Sequence, residues 1–131
     1  MHNEISERKF SSKARLKSFG YAFNGLLILL REEHNAVIQF IILTIVIIAG
    51  ILLDISGNDW LVIIIAGMLV IASECFNTAI ERLSDCVTHE NDDRIKKIKD
   101  LSAAAVLVSA IGSTVAGMII FIPEIIELLG S

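Results

Sequence analysis

Proline occurs once, at Pro123, and cysteine twice, at Cys75 and Cys86. With so little proline, nothing interrupts the long apolar stretches, and helices are free to run. Cys75 and Cys86 fall on one expected helix, about 16 Å apart along its axis, too far for a bond between them. Both are read as free thiols. The histidines, His2, His34 and His89, show no zinc-ligand spacing. The nucleotide motifs of soluble proteins are missing too: no G-x-x-x-x-G-K-[ST], no G-x-G-x-x-G and no kinase H-R-D or D-F-G set. Any nucleotide site is therefore of another kind. Residues near Met1 are charged and lack an early apolar core, so no secretory signal peptide is expected. Lys and Arg are absent from residues 54–59 and from everything after Pro123.

The apolar content is high instead. The chain has 131 residues, 54% of them hydrophobic, and a mean hydropathy of +0.70. That is too short for several domains and too apolar for an ordinary soluble one, so residues 1–131 are expected to form a single membrane domain. Residues 36–53 are apolar apart from Gln39 and Thr44, and residues 60–80 and 101–122 form two further runs. Each approaches the 20 or so residues that a helix needs to cross about 30 Å of hydrocarbon. Spans are expected over about 34–53, 60–85 and 100–123, with Trp60 as an interface anchor. Lys and Arg gather in residues 8–17 and 94–99. The positive-inside rule then puts the N-terminus and the second link in the cytoplasm, with the first link and the C-terminal tail outside. A net charge of −4 argues against a nucleic-acid partner.

Ahead of the first span, Leu16, Phe19, Phe23, Leu26, Leu27 and Leu30 recur at helical intervals. They predict an amphipathic surface helix over about residues 10–31. The expected class is all-α integral membrane: three transmembrane helices per protomer plus this N-terminal helix. In the third run, Ala105, Ser109, Ser113 and Gly117 form a strip of small residues suited to close helix approach.

The second run ends in carboxylates. Glu74, Asn77, Glu81 and Asp85 lie at offsets of 3, 7 and 11, which share one helix face. Polar stripes inside a membrane are costly and mark functional sites by default. Three helices have little interior of their own, so neighbouring subunits are expected to cover the stripe. Measured from Trp60, Glu74 lies about 21 Å down the helix and Glu81 about 31 Å. Glu74 is thus inside hydrocarbon and Glu81 at the cytoplasmic interface. Glu33 has the matching depth on the first span and can meet Glu81, and two carboxylates with phosphate oxygens suit Mg²⁺. Lys99 can pair with a phosphate, and Asp100 can cap its helix. From the residues alone, a kinase, a proton-coupled small transporter and a non-catalytic scaffold all remain open.

Glu74-x-x-Asn77-x-x-x-Glu81-x-x-x-Asp85, followed by Lys99-Asp100-x-x-Ala103-Ala104-Ala105, resembles the prokaryotic diacylglycerol kinase family, which includes undecaprenol kinases. The resemblance extends from about Arg15 to about Gly117. It implies a homotrimer whose sites are shared between protomers. The implied reaction is transfer of the ATP γ-phosphoryl group to a lipid hydroxyl with Mg²⁺. By position it makes Glu74 the general base, Asn77 its polar support, and Glu33 and Glu81 the metal carboxylates, which also meet ATP. Tyr21, Glu90, Lys99 and Asp100 match nucleotide contacts. Arg15 is the nearest replacement for an arginine that aligns with Ala14, and Asp92 stands where a histidine is common. Both are carried as ATP-binding candidates. Glu33-His34-Asn35 resembles the Glu-x-Asn form of undecaprenol-type members, which makes Asn35 a lipid-contact candidate.

Overall fold

The computed structural model describes residues 11–88 and 92–130. All regular structure in those residues is helical: α1 Ser12–Glu32, α2 His34–Leu52, α3 Gly57–Val87 and α4 Asp93–Gly130. α2, α3 and α4 are each long and apolar enough to cross a membrane. Their side chains point largely outward, as with Ile51, Leu52, Leu107 and Leu129. Water would not tolerate so much contiguous apolar surface, whereas hydrocarbon does. The protein is an all-α membrane protein.

α1 starts at Ser11, whose hydroxyl accepts from the Ala14 N–H at 3.4 Å. It stops at Glu33, where the backbone turns extended (φ −114°, ψ 105°) for one residue before α2 begins. The hydrogen-bond ladder survives this corner. The Glu33 N–H donates to Leu29 O at 3.0 Å, and the Val37 N–H donates to Glu33 O at 3.2 Å. Glu33 is therefore held at the bend rather than on a free loop.

The turn between α2 and α3 is a Schellman motif. The Ile55 N–H donates to Gly50 O at 3.2 Å and the Asp54 N–H to Ile51 O at 3.4 Å. Asp54 takes the left-handed position (φ 51°) that such a turn needs; aspartate tolerates it better than most residues. Ser56 then caps α3, accepting from the Asp59 N–H at 3.3 Å and donating to Asp59 Oδ2 at 2.6 Å. Ile55, Ile63 and Ile120 form a buried cluster beside Trp60, Val46 and Phe121. Trp60 thus plugs the turn as well as opening the second run.

α4 lies along α3. Ser73 and Ser109 hydroxyls are 2.8 Å apart, and Ser113 Oγ reaches Ala66 O at 3.2 Å. Two members of the small-residue strip therefore serve α3 of the same chain, while Ala105 stays exposed. α4 begins at Asp93 and continues through Pro123 to Gly130. The expectation that Asp100 caps its helix is thereby overturned: Asp100 lies two turns inside α4.

Gly50 marks the tightest point of the turn between α2 and α3. A Cβ there would stand 3.0 Å from both Ile55 Cδ1 and Trp60 Cη2. Gly50→Val should therefore lose about 1–3 kcal/mol, the usual cost of overpacking. The loss should appear as a lower thermal unfolding midpoint in detergent, and an unchanged midpoint would show that the turn yields freely.

Candidate active site

The polar stripe of α3 passes from buried to open along about 16 Å of helix. Glu74 is 3% exposed and Thr78 7%. Asn77 and Glu81 are half-buried, and Asp85 is exposed. α3 has 31 residues, about 46 Å of helix, so it outruns a hydrocarbon core of about 30 Å. One continuous element can thus carry both the buried and the open groups.

Glu74, Asn77 and Asp85 on the stripe each meet a side chain from another helix. Gln39 on α2 donates from Nε2 to Glu74 Oε1 at 2.7 Å. The NH₂ end of the amide therefore faces the carboxylate. That leaves Gln39 Oε1 buried with no partner among the described residues, as is Thr78 Oγ1. Ser102 Oγ lies 2.8 Å from Asn77 Oδ1 and 2.9 Å from Lys99 O, so two acceptors share its one proton. Arg82 Nη2 lies 2.6 Å from Glu32 Oε2 and 3.9 Å from Glu33 Oε1. This ties the α1–α2 corner to the turn of α3 that holds Glu81. Lys99 Nζ sits 2.9 Å from Asp85 Oδ1.

The single chain thus gathers Glu74, Asn77, Glu81, Glu33 and Lys99 at one end of the helices. Other candidates stay apart. Tyr21 is exposed on α1 beneath Lys17, whose Nζ is 5.7 Å from the ring centre. Arg15, Asn35 and Asp100 are exposed. Glu90 lies outside the described residues. Asp92 opens α4 as its N-cap. Its Oδ1 accepts from the Arg94 N–H at 2.8 Å, satisfying a backbone donor of the first turn. Its Oδ2 pairs with Arg94 Nη2 at 2.8 Å.

Gln39, Ser102 and Arg82 were not among the sequence candidates. Gln39 had left a trace as one of two polar interruptions in residues 36–53. For Ser102 and Arg82, the signal lies only in the pairing of helices.

The sequence model of the prokaryotic diacylglycerol kinase family matches residues 20–121. The chain belongs to that family. An undecaprenol kinase of Bacillus subtilis is 35% identical over 111 residues, 83% of this chain and 89% of that protein. A diacylglycerol kinase of Synechocystis is 30% identical over 115 residues, 87% of this chain and 66% of that protein. One from Pseudomonas aeruginosa is 34% identical over 98 residues, 74% and 79% of the two chains. This member of the family is a lipid kinase, a phosphotransferase with an alcohol group as acceptor, and the kinase family implies ATP as donor. The transporter reading finds no support among these relatives.

Asp92 shows how cap and nucleotide contact can be told apart. Hydrogen bonding to Arg94 holds its carboxyl down to about 2. A lowered carboxyl contributes stability above its ordinary range and loses it only as pH falls through about 2. The cap is thus constant between about pH 5 and 9. Asp92→Asn, which still accepts at the cap, should keep the KM for ATP within about twofold, whereas a direct nucleotide contact would raise it about tenfold.

Proposed function

We propose that the chain phosphorylates a long-chain membrane alcohol at the cytoplasmic end of α3, with Glu74 as general base. The observation that carries this reading is a buried carboxylate, oriented by Gln39, about two turns of α3 away from half-buried Glu81. That order matches an acceptor arriving from hydrocarbon and a donor arriving from water. In the reaction, the lipid hydroxyl passes its proton to Glu74 while its oxygen attacks the γ-phosphorus, and ADP leaves. Positioning and charge neutralisation dominate such a transfer.

Glu33 and Glu81 are the residues that would hold Mg²⁺. Among the described residues, no group of three or more His, Cys, Asp or Glu side chains could form a metal cage by itself. Mg²⁺ usually takes only one or two protein carboxylates and completes its shell with phosphate oxygens and water. The oxygen donors of Glu33 and Glu81, both half-buried, fit that habit. Bound there, the ion would offset the charge of the ATP phosphates. Asn77, fixed by Ser102, supports the carboxylates on either side of it. Lys99 and Asp100, with Arg15, Tyr21 and Glu90, are assigned to the nucleotide, while Asp92 stays the cap of α4. Lys99 would then exchange Asp85 for a phosphate.

Further assignments belong to the same reading. The N-terminus faces the cytoplasm of a bacterial inner membrane, and α1 lies on that surface. Leu16, Phe19 and Phe23, all exposed on α1, support this placement. The working unit is a homotrimer with sites shared between protomers, which would cover the parts of the stripe that one chain leaves open. Residues 1–131 act as one domain. The acceptor is proposed as a polyprenol rather than diacylglycerol. Asn35 beside Glu33 supports this, as does the likeness to the undecaprenol kinase.

Two measurements test the proposal. Glu74→Gln should cut kcat by about 10²–10⁴-fold, with the oligomer intact by size-exclusion chromatography; wild-type turnover would remove Glu74 as base. An acceptor panel of undecaprenol, diacylglycerol and ceramide in identical micelles, with labelled ATP, should give the highest kcat/KM for undecaprenol. Preference for diacylglycerol would overturn the acceptor while leaving the chemistry standing.

A further inference from the structure

Gln39 is a polar group beside the base with no part in the transfer itself. It stands on α2 in an otherwise apolar segment, and both ends of its amide are constrained. Nε2 is committed to Glu74 Oε1 at 2.7 Å. Oε1 is buried without a partner among the described residues. An unmet buried acceptor costs stability, and in hydrocarbon no water is at hand to relieve it. Residues that only glue helices together do not need such a loose end. Covalent geometry keeps that oxygen within about 5 Å of the carboxylate oxygen that Nε2 holds.

A groove leads to the same amide. Residues of α2, α3 and α4, among them Ile42, Val46, Ile63, Gly67 and Phe121, line a cavity of about 390 Å³. Gln39 is the α2 wall residue nearest the cytoplasmic end. A molecule using this route needs a slender apolar body and one polar tip. A long-chain alcohol has that form.

We propose that Gln39 is a positioning residue for phosphoryl transfer, fixing one oxygen of Glu74 and steering the lipid hydroxyl to the other. The reacting O–H approaches between Gln39 Oε1 and Glu74 Oε2 and is shared by both acceptors in the ground state. In the transfer it goes to Glu74 alone, the only one of the two that gains by protonation. The hydrocarbon chain of the acceptor lies in the groove. This inference rests on Glu74 being the base, and its test separates the two.

Gln39→Met keeps the length of the side chain and removes both hydrogen-bonding ends. It introduces no charge or branching, and Met is a good helix former. It should lower kcat roughly ten- to a hundredfold and raise the KM for the lipid several-fold. The KM for ATP and the oligomer size should not move. Gln39→Asn, which keeps the amide on a shorter stem, should recover part of the loss. Glu74→Gln is measured alongside. If Glu74→Gln is inactive while Gln39→Met matches wild type in kcat and lipid KM, the role of Gln39 is overturned and the base stands. If Glu74→Gln is fully active, the base itself is wrong and Gln39 falls with it. A Gln39→Met variant that loses oligomer or ATP binding as well would make the amide a structural tie, which also overturns the proposal.

Discussion

A carboxylate inside hydrocarbon needs a hydrogen bond before it can be tolerated, and the contact from Gln39 to Glu74 supplies one. Much of the arrangement follows from it. α2 must lie against α3 at that depth, with Gln39 turned inward. Close approach is possible because Gly67 has no side chain where Leu43 presses on α3; an added Cβ would stand 2.7 Å from Leu43 Cδ1. The turn at residues 53–56 fixes the distance along each helix from their shared end, so the amide and the carboxylate arrive at the same level. Dispersion packing brings helices together in lipid, but this one polar contact sets which faces meet.

The second constraint is length. α3 and α4 have 31 and 38 residues, both more than a bilayer requires. Their surplus turns give the stripe its graded surroundings. Deep in the pair, serines bridge the helices at Ser73 and Ser109. Further in, Ser102 holds Asn77. At the rim, Lys99 meets Asp85 as an exposed ion pair. Such exposed pairs contribute little to stability. Lys99 can therefore leave Asp85 for a phosphate at small cost, which a deeply buried pair would not permit.

The stripe itself was legible because helical period is a local property. Glu74, Asn77, Glu81 and Asp85 advertise one face whatever surrounds them. The apolar runs were legible for the same reason, and they brought out the all-α membrane class. What the sequence withheld is rotation about each helix axis. Gln39, Ser102 and Arg82 matter through the partner they face, and no local pattern states which way α2 or α4 is turned. Asp100 was misread as a cap for a different reason. The apolar run begins at Leu101, but the helix starts earlier, where Asp92 caps it and the charged residues 93–100 add two turns in water. Hydrophobicity finds the membrane-crossing part of a helix, not its ends.

Arg82 shows how the rim balances its own charge. Glu32, Glu33, Glu81 and Asp85 are four carboxylates close together, and Arg82 and Lys99 are the cations seen among them. Arg82 holds Glu32 at 2.6 Å and leaves Glu33 at 3.9 Å. The tighter bond goes to the carboxylate outside the proposed metal pair, so Glu33 keeps its oxygens available. In this reading a guanidinium that gripped Glu33 and Glu81 equally would compete with a divalent ion for both. By favouring Glu32, it anchors the α1–α2 corner and leaves net negative charge where a cation is needed.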